Sequence, residues 1–572
     1  MTAGSAAAER RPWVEDLLAQ VPPGETPDLH GAFPRLEEER LRALEVVGER
    51  RPTARGEVLI AEGQRETAFY TVLSGRVAVA EAFGTPAQRV VRVHGPGRFL
   101  GELGILTGQP AFLTNVVADP GEVLVVPADQ LRALALRDPA FGDLVLRAFL
   151  VRRSLALGEG IGFRIIGSRY SAATRQLREF AARNRLPHRF VDLESDPSAE
   201  QLLRGLGLGP EDTPVVLYQG RVLRNPSTDE LAHVFGLRDV GTAEEVCDLV
   251  VVGAGPAGLA ATVYGASEGL RTTLLDAVAT GGQAGRTSSI ENYLGFPTGI
   301  SGGELADRAV LQTEKFGAHR SVPAEVVGMG EREGNHDLWL ADGGHVVARC
   351  VIVASGVRVR RLPVPRLEEF EATCVYYAAT PLEAQACVGD PVVVVGGGNS
   401  GGQAATFLAD HAAEVRLVVL ESRLDENMSR YLADRIMQDP RIEVYLHSRV
   451  EDLEGENGRL EAVIVRDLVT GEQTRLPARD LMVFIGGVPS TSWLPDEVSL
   501  DTGGYVITGA AARRTTESGE ADGPEPLLLE TSVPGVFAAG DVRSGSVKRV
   551  ASAVGEGSMA VRLVHEHLAR TR

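Results

Sequence analysis

The sequence predicts a multidomain α/β protein, and three observations lead to this prediction. The chain has 572 residues, more than one hydrophobic core usually supports, so several domains are expected. Two separate segments each run from a short apolar strand through a glycine-rich turn into a predicted helix. The region before them instead alternates apolar and polar residues between glycine turns, which is the pattern of short antiparallel strands.

The first glycine-rich segment follows an apolar run at residues 248–252, short enough for a buried parallel strand. The next six residues are Gly-Ala-Gly-Pro-Ala-Gly. Gly253 permits a tight turn, Gly255 lets the backbone approach a pyrophosphate, and Gly258 allows the helix to pack closely. A second predicted strand ends in Asp276, about 20 positions past the glycines, where an acidic residue suits a ribose hydroxyl. The segment therefore predicts a dinucleotide site.

A second segment repeats this arrangement further along the chain. The apolar run 391–395 leads into Gly-Gly-Gly-Asn-Ser-Gly at residues 396–401, and a helix is predicted over 403–408. Near the C-terminus the apolar residues 533–539 end in Gly540-Asp541, as expected if the first domain resumes after an insertion. The sequence thus predicts two Rossmann-like dinucleotide-binding domains, one inserted in the other.

With these motifs in place, residues 245–572 resemble the thioredoxin reductase family of flavoenzymes. The resemblance extends to Gly281-Gly282-Gln283, to residues 290–297 (Ile-Glu-Asn-Tyr-Leu-Gly-Phe-Pro) and to the strand end 354–356 (Ala-Ser-Gly). It implies an FAD-dependent oxidoreductase that takes a hydride from NADH or NADPH, with FAD on the outer domain and the nicotinamide cofactor on the inserted one. It also implies a homodimer.

The same resemblance, together with the glycine patterns, assigns the cofactor-binding residues. The FAD residues are Gly253, Gly255, Pro256, Ala257, Gly258, Asp276, Gly282, Gln283, Asn292, Gly540, Asp541 and Val550. The residues for the nicotinamide cofactor are Gly396, Gly398, Asn399, Ser400, Gly401 and Glu421. No catalytic acid or base is identified from the sequence.

The segment that carries reactive cysteines in the family lacks them here. It reads Tyr-Ala-Ala-Thr-Pro at residues 377–381, and the two thiol positions fall on Ala378 and Pro381. Neither side chain forms a disulfide or carries a thiolate. The remaining cysteines have no Cys-x-x-Cys spacing and are expected to be buried, inert thiols: Cys247, Cys350, Cys374 and Cys387. Conventional thioredoxin reduction is therefore not expected, although a route through these other cysteines stays open as an alternative.

The choice of nicotinamide cofactor depends on the end of the strand after the second glycine segment. Glu421 stands there, and a carboxylate repels a 2′-phosphate but suits a bare ribose diol. The sequence therefore favours NADH. Arg423 and Arg430 keep NADPH open, because either guanidinium could bind a phosphate.

In the N-terminal region, a glycine-rich segment at residues 97–111 follows the predicted antiparallel strands. This segment is similar to the phosphate cassette of the cyclic nucleotide-binding family, with Gly101 and Glu102 at its phosphate and ribose positions, so the region resembles the β-roll of that family. The arginine expected after Pro110 is Ala111. Since a lost charge-assisted contact costs about 1.5–3 kcal/mol, the cassette is interpreted as degenerate. The sequence therefore favours a roll kept for packing or dimerisation, and nucleotide sensing stays open as the alternative. A helix around residues 131–157 is predicted to follow the roll.

A third unit separates the roll from the flavoenzyme part. Strands are predicted at 163–167 and 189–193, a helix at 172–184, and a hairpin over 213–223. This order resembles a thioredoxin or glutaredoxin fold, with Thr213-Pro214 at the usual cis-proline, but the loop at 168–174 has no cysteine.

The predicted domains follow from these boundaries. They are a polar N-terminal segment with a helix (1–35), the β-roll (36–157), the thioredoxin-like domain (161–238), the first part of the FAD domain (245–362), the inserted NAD(P) domain (363–487) and the second part of the FAD domain (488–572).

The composition and charge of the chain exclude some classes of partner and ligand. The net charge of −19 and the lack of a basic patch argue against a nucleic-acid surface. The sequence shows no apolar run near 18 residues and no charged-then-apolar leader segment, so the expectation is a cytoplasmic protein without a membrane span. No metal site is predicted, because His565 and His567 point to different faces of a helix.

Two functions from different classes remain. In the favoured one, NAD(P)H reduces FAD, and the reduced flavin passes electrons directly to an unidentified small-molecule or protein acceptor. In the other, the protein is a redox-inactive regulator that responds to flavin or nucleotide.

Overall fold

The computed structural model describes residues 13–571 apart from 66, 86, 102–104, 106–108, 219, 238–245, 288, 372 and 514–524. The chain divides into two compact units. The first comprises Met1–Arg169 and Gln176–Leu237, and the second comprises Tyr170–Arg175 and Arg238–Arg572.

The first unit opens with the β-roll. Its elements are α1 (Glu38–Glu45), β1 (Glu49–Thr53), β2 (Val58–Ile60), β3 (Ala68–Glu81), β4 (Arg89–His94), β5 (Phe99–Leu100), β6 (Thr114–Pro127), α2 (Ala128–Arg137) and α3 (Pro139–Gly158). The long strands β3 and β6 pair antiparallel from Ala68–Pro127 to Ala80–Thr114. Strands β1 and β4 flank this pair. A core of Phe69, Phe99, Leu124 and Phe141 fills the roll.

The helix predicted over 131–157 is two helices instead. The chain breaks at Asp138, whose side chain accepts a hydrogen bond from the Phe141 amide and caps α3. Pro139 occupies the first position of α3, where a missing N–H costs nothing. The apolar periodicity that runs through both helices hid this boundary, although the Asp-Pro pair is a recognisable helix start.

The second sheet of this unit has four strands. Its elements are β7 (Phe163–Gly167), α4 (Ala172–Arg183), β8 (His188–Asp192), α5 (Pro197–Gly205), β9 (Val215–Tyr218), β10 (Arg221–Arg224) and α6 (Thr228–Val234). The strand order is β10-β9-β7-β8, with β7 and β8 parallel and the other pairs antiparallel. The predicted strands, helix and hairpin are all present, and the Thr213–Pro214 peptide is cis, as expected.

The second unit contains a seven-stranded sheet. Its elements are β11 (Cys247–Val252), α7 (Pro256–Ser267), β12 (Thr272–Leu275), α8 (Gly302–Lys315), β13 (His319–Ser321), β14 (Val326–Arg332), β15 (Asn335–Leu340), β16 (His345–Val353), β27 (Val536–Ala538) and α13 (Val550–Arg570). The strand order is β13-β12-β11-β16-β15-β14, and β27 pairs with β16. Strand β27 lies parallel to β16, opposite Val351 to Val353. The C-terminal segment therefore returns to the sheet that begins at β11, as the sequence predicts.

Between β16 and β27 the chain forms further sheets. The elements of this stretch are β17 (Val357–Val359), α9 (Leu367–Glu371), β18 (Val375–Tyr376), α10 (Pro381–Ala386), β19 (Pro391–Val395), α11 (Asn399–Leu408), β20 (Glu414–Val418), α12 (Arg430–Gln438), β21 (Ile442–Tyr445), β22 (Ser448–Glu456), β23 (Arg459–Asp467), β24 (Gln473–Pro477), β25 (Asp480–Val483) and β26 (Gly487–Pro489). The main sheet has the order β18-β25-β19-β20-β21, all parallel, and β22-β23-β24 form an antiparallel sheet of their own. Strands β17 and β26 pair with each other, so the outgoing and returning connections run side by side. This arrangement is one Rossmann-like domain inserted in another.

Among the helices that the structure describes, none is long and apolar enough to cross a bilayer.

Candidate functional site

The first glycine turn, between β11 and α7, leaves no room for side chains at two of its positions. Gly253 has a φ of +110°, and a Cβ there would lie 2.2 Å from the carbonyl oxygen of Ala354. A Cβ on Gly258 would lie 1.7 Å from the carbonyl oxygen of Gly253. Both glycines are therefore required by the backbone itself, because each Cβ would collide with a main-chain atom that has no room to move.

Gly255 differs from its neighbours because the space beside it is open. It caps the N-terminus of α7 with a φ of −74°, and Pro256 takes the first helical position. The nearest atom to a Cβ at Gly255 is the Cα of Gly282, at 3.9 Å. An alanine would fit the protein alone, so the fold does not explain this glycine. An open cradle at a helix N-terminus fits a pyrophosphate, whose charge the free N–H groups attract.

A second glycine pair closes over this turn. The Gly281 amide donates to the Ala254 carbonyl at 2.7 Å. A Cβ on Gly282, whose φ is +55°, would lie 2.8 Å from the Cα of Gly255. The side-chain amide of Gln283 donates to the Val357 carbonyl at 2.5 Å. Gly282 therefore lies beside the first turn, and Gln283 contacts the first residue of β17. The role of both residues in binding FAD remains a prediction.

Asp276 holds the loops around the turn together. Its Oδ2 accepts from the Ala254 amide at 2.8 Å, and its Oδ1 accepts from the amides of Val278 and Ala279 at 2.9 and 3.0 Å. Sequence reasoning assigned this carboxylate to a ribose and missed its role as a loop anchor, because the three amides converge only in the folded chain. The ribose role remains a prediction.

The C-terminal segment also packs against the first glycine turn and the start of α7. A Cβ on Gly540 would lie 2.8 Å from the Cβ of Ala257, and a Cβ on Gly557 would lie 2.2 Å from the Ala257 carbonyl oxygen. Burial raises the pKa of Asp541, and the nearby ammonium of Lys548 opposes this rise. Val550 is the first residue of α13. This places Gly540, Asp541 and α13 against the start of α7, whereas Asn292 is exposed in a loop.

Three charged residues beside the Gly540 turn were not predicted from the sequence. Glu556 accepts from the Gly540 amide at 2.7 Å and pairs with Arg543 at 2.6 Å. Lys548 donates to the Asp541 carbonyl at 2.6 Å. Glu556 carries no motif, so only the packing of α13 against the Gly540 turn reveals it.

The second glycine turn, between β19 and α11, has the same geometry. A Cβ on Gly396 would lie 2.2 Å from the Phe484 carbonyl oxygen, and one on Gly401 would lie 2.2 Å from the Gly396 carbonyl oxygen. Gly398 caps α11, and no atom lies within 4 Å of the position that a Cβ would take there, so it is the open position. Asn399 accepts from the Ser429 amide at 2.7 Å, and Ser400 is exposed in the first helical turn.

Glu421 lies directly against this second turn. Its Oε2 is 2.2 Å from the position that a Cβ on Gly397 would take. Its Oε1 accepts from the Asn427 side chain at 2.8 Å, while Oε2 is buried and has no hydrogen-bond partner among the described residues. The carboxylate therefore presents one unsatisfied acceptor beside the glycines, and an unsatisfied buried acceptor is costly unless a ligand donates to it.

Both candidate phosphate-binding arginines have carboxylate partners. Arg423 pairs with Asp425 through two guanidinium nitrogens. Arg430 lies 3.8 Å from Asp434, one helical turn along α12.

The segment at the family's cysteine positions forms the start of a helix. Thr380 caps α10, Pro381 takes its first position, and Glu383 accepts from the Thr380 amide at 2.8 Å to complete a capping box. Ala379 forms a β-bridge with Thr287, which lies between β12 and α8. The residues Thr-Pro-Leu-Glu encode this helix start, a signal that was not among the sequence predictions.

The four cysteines are all free in the structure. Cys350, Cys374 and Cys387 are buried, as predicted, and burial raises the pKa of each thiol, to about 12 for Cys350 and Cys387. The prediction is wrong for Cys247, which is only partly buried, with Sγ 3.2 Å from the Thr273 hydroxyl. Cys247 begins β11, so one side of it stays open to solvent.

In the β-roll, Gly101 has a φ of +93°, and a Cβ there would lie 2.7 Å from the Ala68 carbonyl oxygen. Ala111 is buried with 5% exposure. Glu102 lies outside the described residues.

The buried carboxyl of Glu383, in the first turn of α10, predicts that the stability of the protein depends on pH. Burial raises the pKa of this carboxyl above its ordinary value. In the unfolded chain Glu383 ionises above about pH 4.3, whereas in the folded chain its raised pKa keeps the carboxyl protonated to higher pH. The free energy of unfolding therefore falls as pH rises, by about 1.4 kcal/mol for each unit by which the pKa is raised. We expect Glu383→Gln to raise the melting temperature at pH 8 and to lose that advantage near pH 4, because glutamine keeps the capping bond.

Thermal unfolding from pH 4 to 8 measures this effect. Glu368→Gln is the control, since Glu368 is 87% exposed, and it should show no such trend. An equal gain for Glu383→Gln at every pH would contradict the explanation.

Two open glycine cradles at helix N-termini, with a carboxylate at the end of the next strand in each case, are the arrangement typical of dinucleotide-binding folds. Comparison with known proteins specifies the family. Residues 247–557 match the pyridine nucleotide-disulphide oxidoreductase family, and residues 50–138 match the cyclic nucleotide-binding domain.

Individual relatives agree with this match. A thioredoxin reductase from Treponema pallidum is 33% identical over 313 residues, covering 55% of this chain and 94% of its own. A thioredoxin reductase from Peptoclostridium acidaminophilum is 31% identical over 324 residues, 55% of this chain and 95% of that protein. The crystal structure of T. acidophilum thioredoxin reductase aligns with a TM-score of 0.51 and 30% identity, over 56% of this chain and 99% of that one.

The chain belongs to the pyridine nucleotide-disulphide oxidoreductase family, and its second unit is a thioredoxin reductase-like oxidoreductase fold. Proteins of this family use FAD and NAD(P)H. The open positions at Gly255 and Gly398 fit these two dinucleotides.

Proposed function

We propose that this chain is an NADH-dependent flavin oxidoreductase whose electrons leave the bound flavin without passing through a protein disulfide. FAD, when bound, accepts a hydride from the nicotinamide and releases two electrons to an oxidant. The chain supplies binding and orientation through the two glycine cradles and the carboxylates beside them. The acceptor is a small molecule or a carrier protein.

The observation that carries this proposal is the segment 378–383. In place of thiols it has Ala378 and Pro381, and its residues form a helix cap joined to the FAD part by the bridge between Ala379 and Thr287. The chain thus brings this segment to the FAD part but gives it no sulfur. Cys374 and Cys387 do not compensate, because their Sγ atoms contact the carbonyl oxygens of Gly458 and Glu383, at 3.1 and 2.9 Å. Burial also disfavours the thiolate that exchange requires.

Turnover is tested by adding NADH to the flavin-loaded protein without oxygen. We expect the visible flavin absorbance to bleach promptly and to return when an oxidant such as a quinone is added. The double variant Cys374→Ser/Cys387→Ser should behave identically, because neither thiol takes part. A flavin that stays oxidised would instead support the regulatory function, and loss of turnover in the double variant would support a thiol route.

Glu421 supports NADH over NADPH. Its unsatisfied Oε2 beside Gly397 can accept from a ribose hydroxyl, and it would repel a 2′-phosphate in the same place. Arg423 is already engaged by Asp425, so a phosphate would have to break that pair.

Replacement of Glu421 by Gln should change this preference. We expect wild-type protein to have at least a tenfold higher kcat/KM for NADH than for NADPH, a difference of about 1.4 kcal/mol. In Glu421→Gln the repulsion is gone, so the ratio should fall by about tenfold. Stopped-flow flavin reduction with each cofactor gives the ratio. Glu443→Gln, which removes an exposed carboxylate of the same domain, should leave it unchanged, and an unaltered ratio in Glu421→Gln would refute the assignment.

The remaining assignments rest on sequence and topology. We infer that residues 161–238 form a thioredoxin-like module without a redox centre, because the strand order, the cis Thr213–Pro214 peptide and the cysteine-free loop suit that fold. We also place the protein in the cytoplasm as a homodimer, on the grounds of its few cysteines and of the resemblance to thioredoxin reductases.

A further inference from the structure

Strands β17 and β26 form a two-stranded ribbon in the second unit, and one face of this ribbon carries two arginines. Arg358 lies in β17, and Arg360 directly follows it, with its amide donating to the Gly486 carbonyl at 3.0 Å. Because successive residues of an extended chain point to opposite faces, the two side chains share one face. Both are exposed, and Val488, which lies opposite Arg358 on β26, is 47% exposed beside them.

The ribbon begins next to the first glycine turn. A Cβ on Gly253 would lie 2.2 Å from the carbonyl oxygen of Ala354, and β17 begins three positions further on, at Val357. The Val357 carbonyl accepts from the side chain of Gln283, whose neighbour Gly282 lies over the same turn. Ligands of parallel sheets bind at the carboxyl ends of the strands, which is the edge that this ribbon borders.

Hydrogen bonds through Ser490 hold Arg358 in position. The Ser490 hydroxyl accepts from Nε of Arg358 at 3.2 Å. Ser490 is itself held by the end of the neighbouring strand, because its amide donates to the Gly356 carbonyl at 3.0 Å and its carbonyl accepts from the Ser355 hydroxyl at 2.8 Å. Within the described part of the chain, the Nη groups of Arg358 have no acceptor. The guanidinium is therefore oriented while two of its nitrogens stay available to an oxygen anion.

The two arginines of the ribbon also lack a counter-charge, unlike the arginines that follow them. Arg361 pairs with Glu371, and Arg366 pairs with Glu369 at 2.9 Å. No described carboxylate forms an ion pair with either arginine of the ribbon. In a chain with a net charge of −19, this face is a local positive site. Such a site attracts anions over about 10 Å at 0.1 M salt and raises their rate of encounter.

The small size of this face restricts its partner. A standard protein interface takes about 800 Å² from each partner, more than two arginines and one valine offer. One small molecule with a sulfonate, carboxylate or phosphate group matches two guanidinium groups, and Val488 offers a contact to its apolar part.

We propose that Arg358 and Arg360 bind a small anionic oxidant, of the class of a quinone that carries a sulfonate or carboxylate group, and hold it where it takes electrons from the reduced flavin. This inference rests on the proposed function and adds the charge of the acceptor to it. The quinone accepts two electrons and one proton from the reduced flavin and a second proton from water. It leaves as a hydroquinone, and the flavin returns to its oxidised form.

Reoxidation of the flavin in the full-length, FAD-loaded protein tests this site. The flavin is reduced photochemically without oxygen or NADH, and the protein is then mixed in a stopped-flow instrument with naphthoquinone sulfonate or with unsulfonated naphthoquinone. We expect Arg358→Gln/Arg360→Gln to lower the second-order rate constant for the sulfonated quinone about tenfold at low ionic strength. The rate constant for the unsulfonated quinone should stay unchanged. Added salt should slow the wild-type reaction with the sulfonated quinone only.

Two further variants separate charge at this face from general effects. Arg332→Gln/Arg562→Gln removes the same charge from two exposed arginines elsewhere in the second unit, and both rate constants should equal those of the wild type. Arg358→Lys/Arg360→Lys keeps the charge and should retain most of the rate with the sulfonated quinone. An unchanged rate with the unsulfonated quinone shows that each variant is folded and holds its flavin.

The proposal fails if the glutamine variant slows both quinones equally, or if the matched control slows the sulfonated quinone as much. An unchanged rate with both quinones would also overturn it, and would leave an acidic carrier protein as the partner of this face. If neither quinone reoxidises the wild-type flavin, the proposed discharge of the flavin without a disulfide fails too, so the two failures can be told apart.

Discussion

Gly255→Ala is expected to produce a folded protein that has lost its flavin. The substitution meets no obstacle in the protein itself, since Gly255 has a φ of −74° and the nearest atom to the new methyl group is 3.9 Å away. The methyl group would instead occupy the space that a pyrophosphate needs beside the N-terminus of α7. We expect FAD affinity to fall at least a hundredfold, about 2.7 kcal/mol.

Flavin content after purification and fluorescence titration with FAD measure this loss, and circular dichroism confirms folding. Gly205→Ala is the matched control, because Gly205 also has open space around it and lies at the end of α5. A colourless, folded Gly255→Ala protein beside a yellow Gly205→Ala protein would locate FAD at the first turn. Unchanged FAD affinity would mean that the first turn does not hold the flavin.

Gly398→Ala is the matching substitution at the second turn, and unlike Gly255→Ala it is expected to retain FAD. No atom lies within 4 Å of a methyl group placed there, so the variant should fold and should keep its FAD. The methyl group would block the dinucleotide at the start of α11. We expect kcat/KM for NADH to fall about a hundredfold, about 2.7 kcal/mol, while chemical reduction of the flavin by dithionite stays normal.

Stopped-flow reduction by NADH, compared with dithionite reduction of the same sample, separates these two effects. The pair of variants assigns the two cofactors to the two turns independently. If Gly398→Ala lost FAD, or if it were reduced by NADH at the wild-type rate, the assignment of the nicotinamide cofactor to the inserted domain would be wrong.

The sequence alone predicts the positions at which the backbone itself requires glycine. Gly253, Gly258, Gly396 and Gly401 are needed because any Cβ would collide with a main-chain oxygen, so their spacing could be recognised without a structure. The return of the C-terminal segment to the seven-stranded sheet was likewise predictable, because the apolar strand before Gly540 needs neighbouring strands.

Other features depend on contacts between distant segments and leave no local pattern. Asp276 holds amides from two loops, and Glu556 reaches the Gly540 amide from a helix. The capping box of α10 is different, since its threonine and glutamate stand three residues apart and form a local signal that the sequence does contain.

The central claim is that no protein disulfide stores electrons beside the flavin. Anaerobic titration with dithionite tests it most directly, because it counts the electrons that each bound FAD and its protein accept. We predict an end point of about two electrons per FAD, the capacity of the flavin alone. An end point of about four electrons per FAD would reveal a reducible disulfide and would contradict the claim.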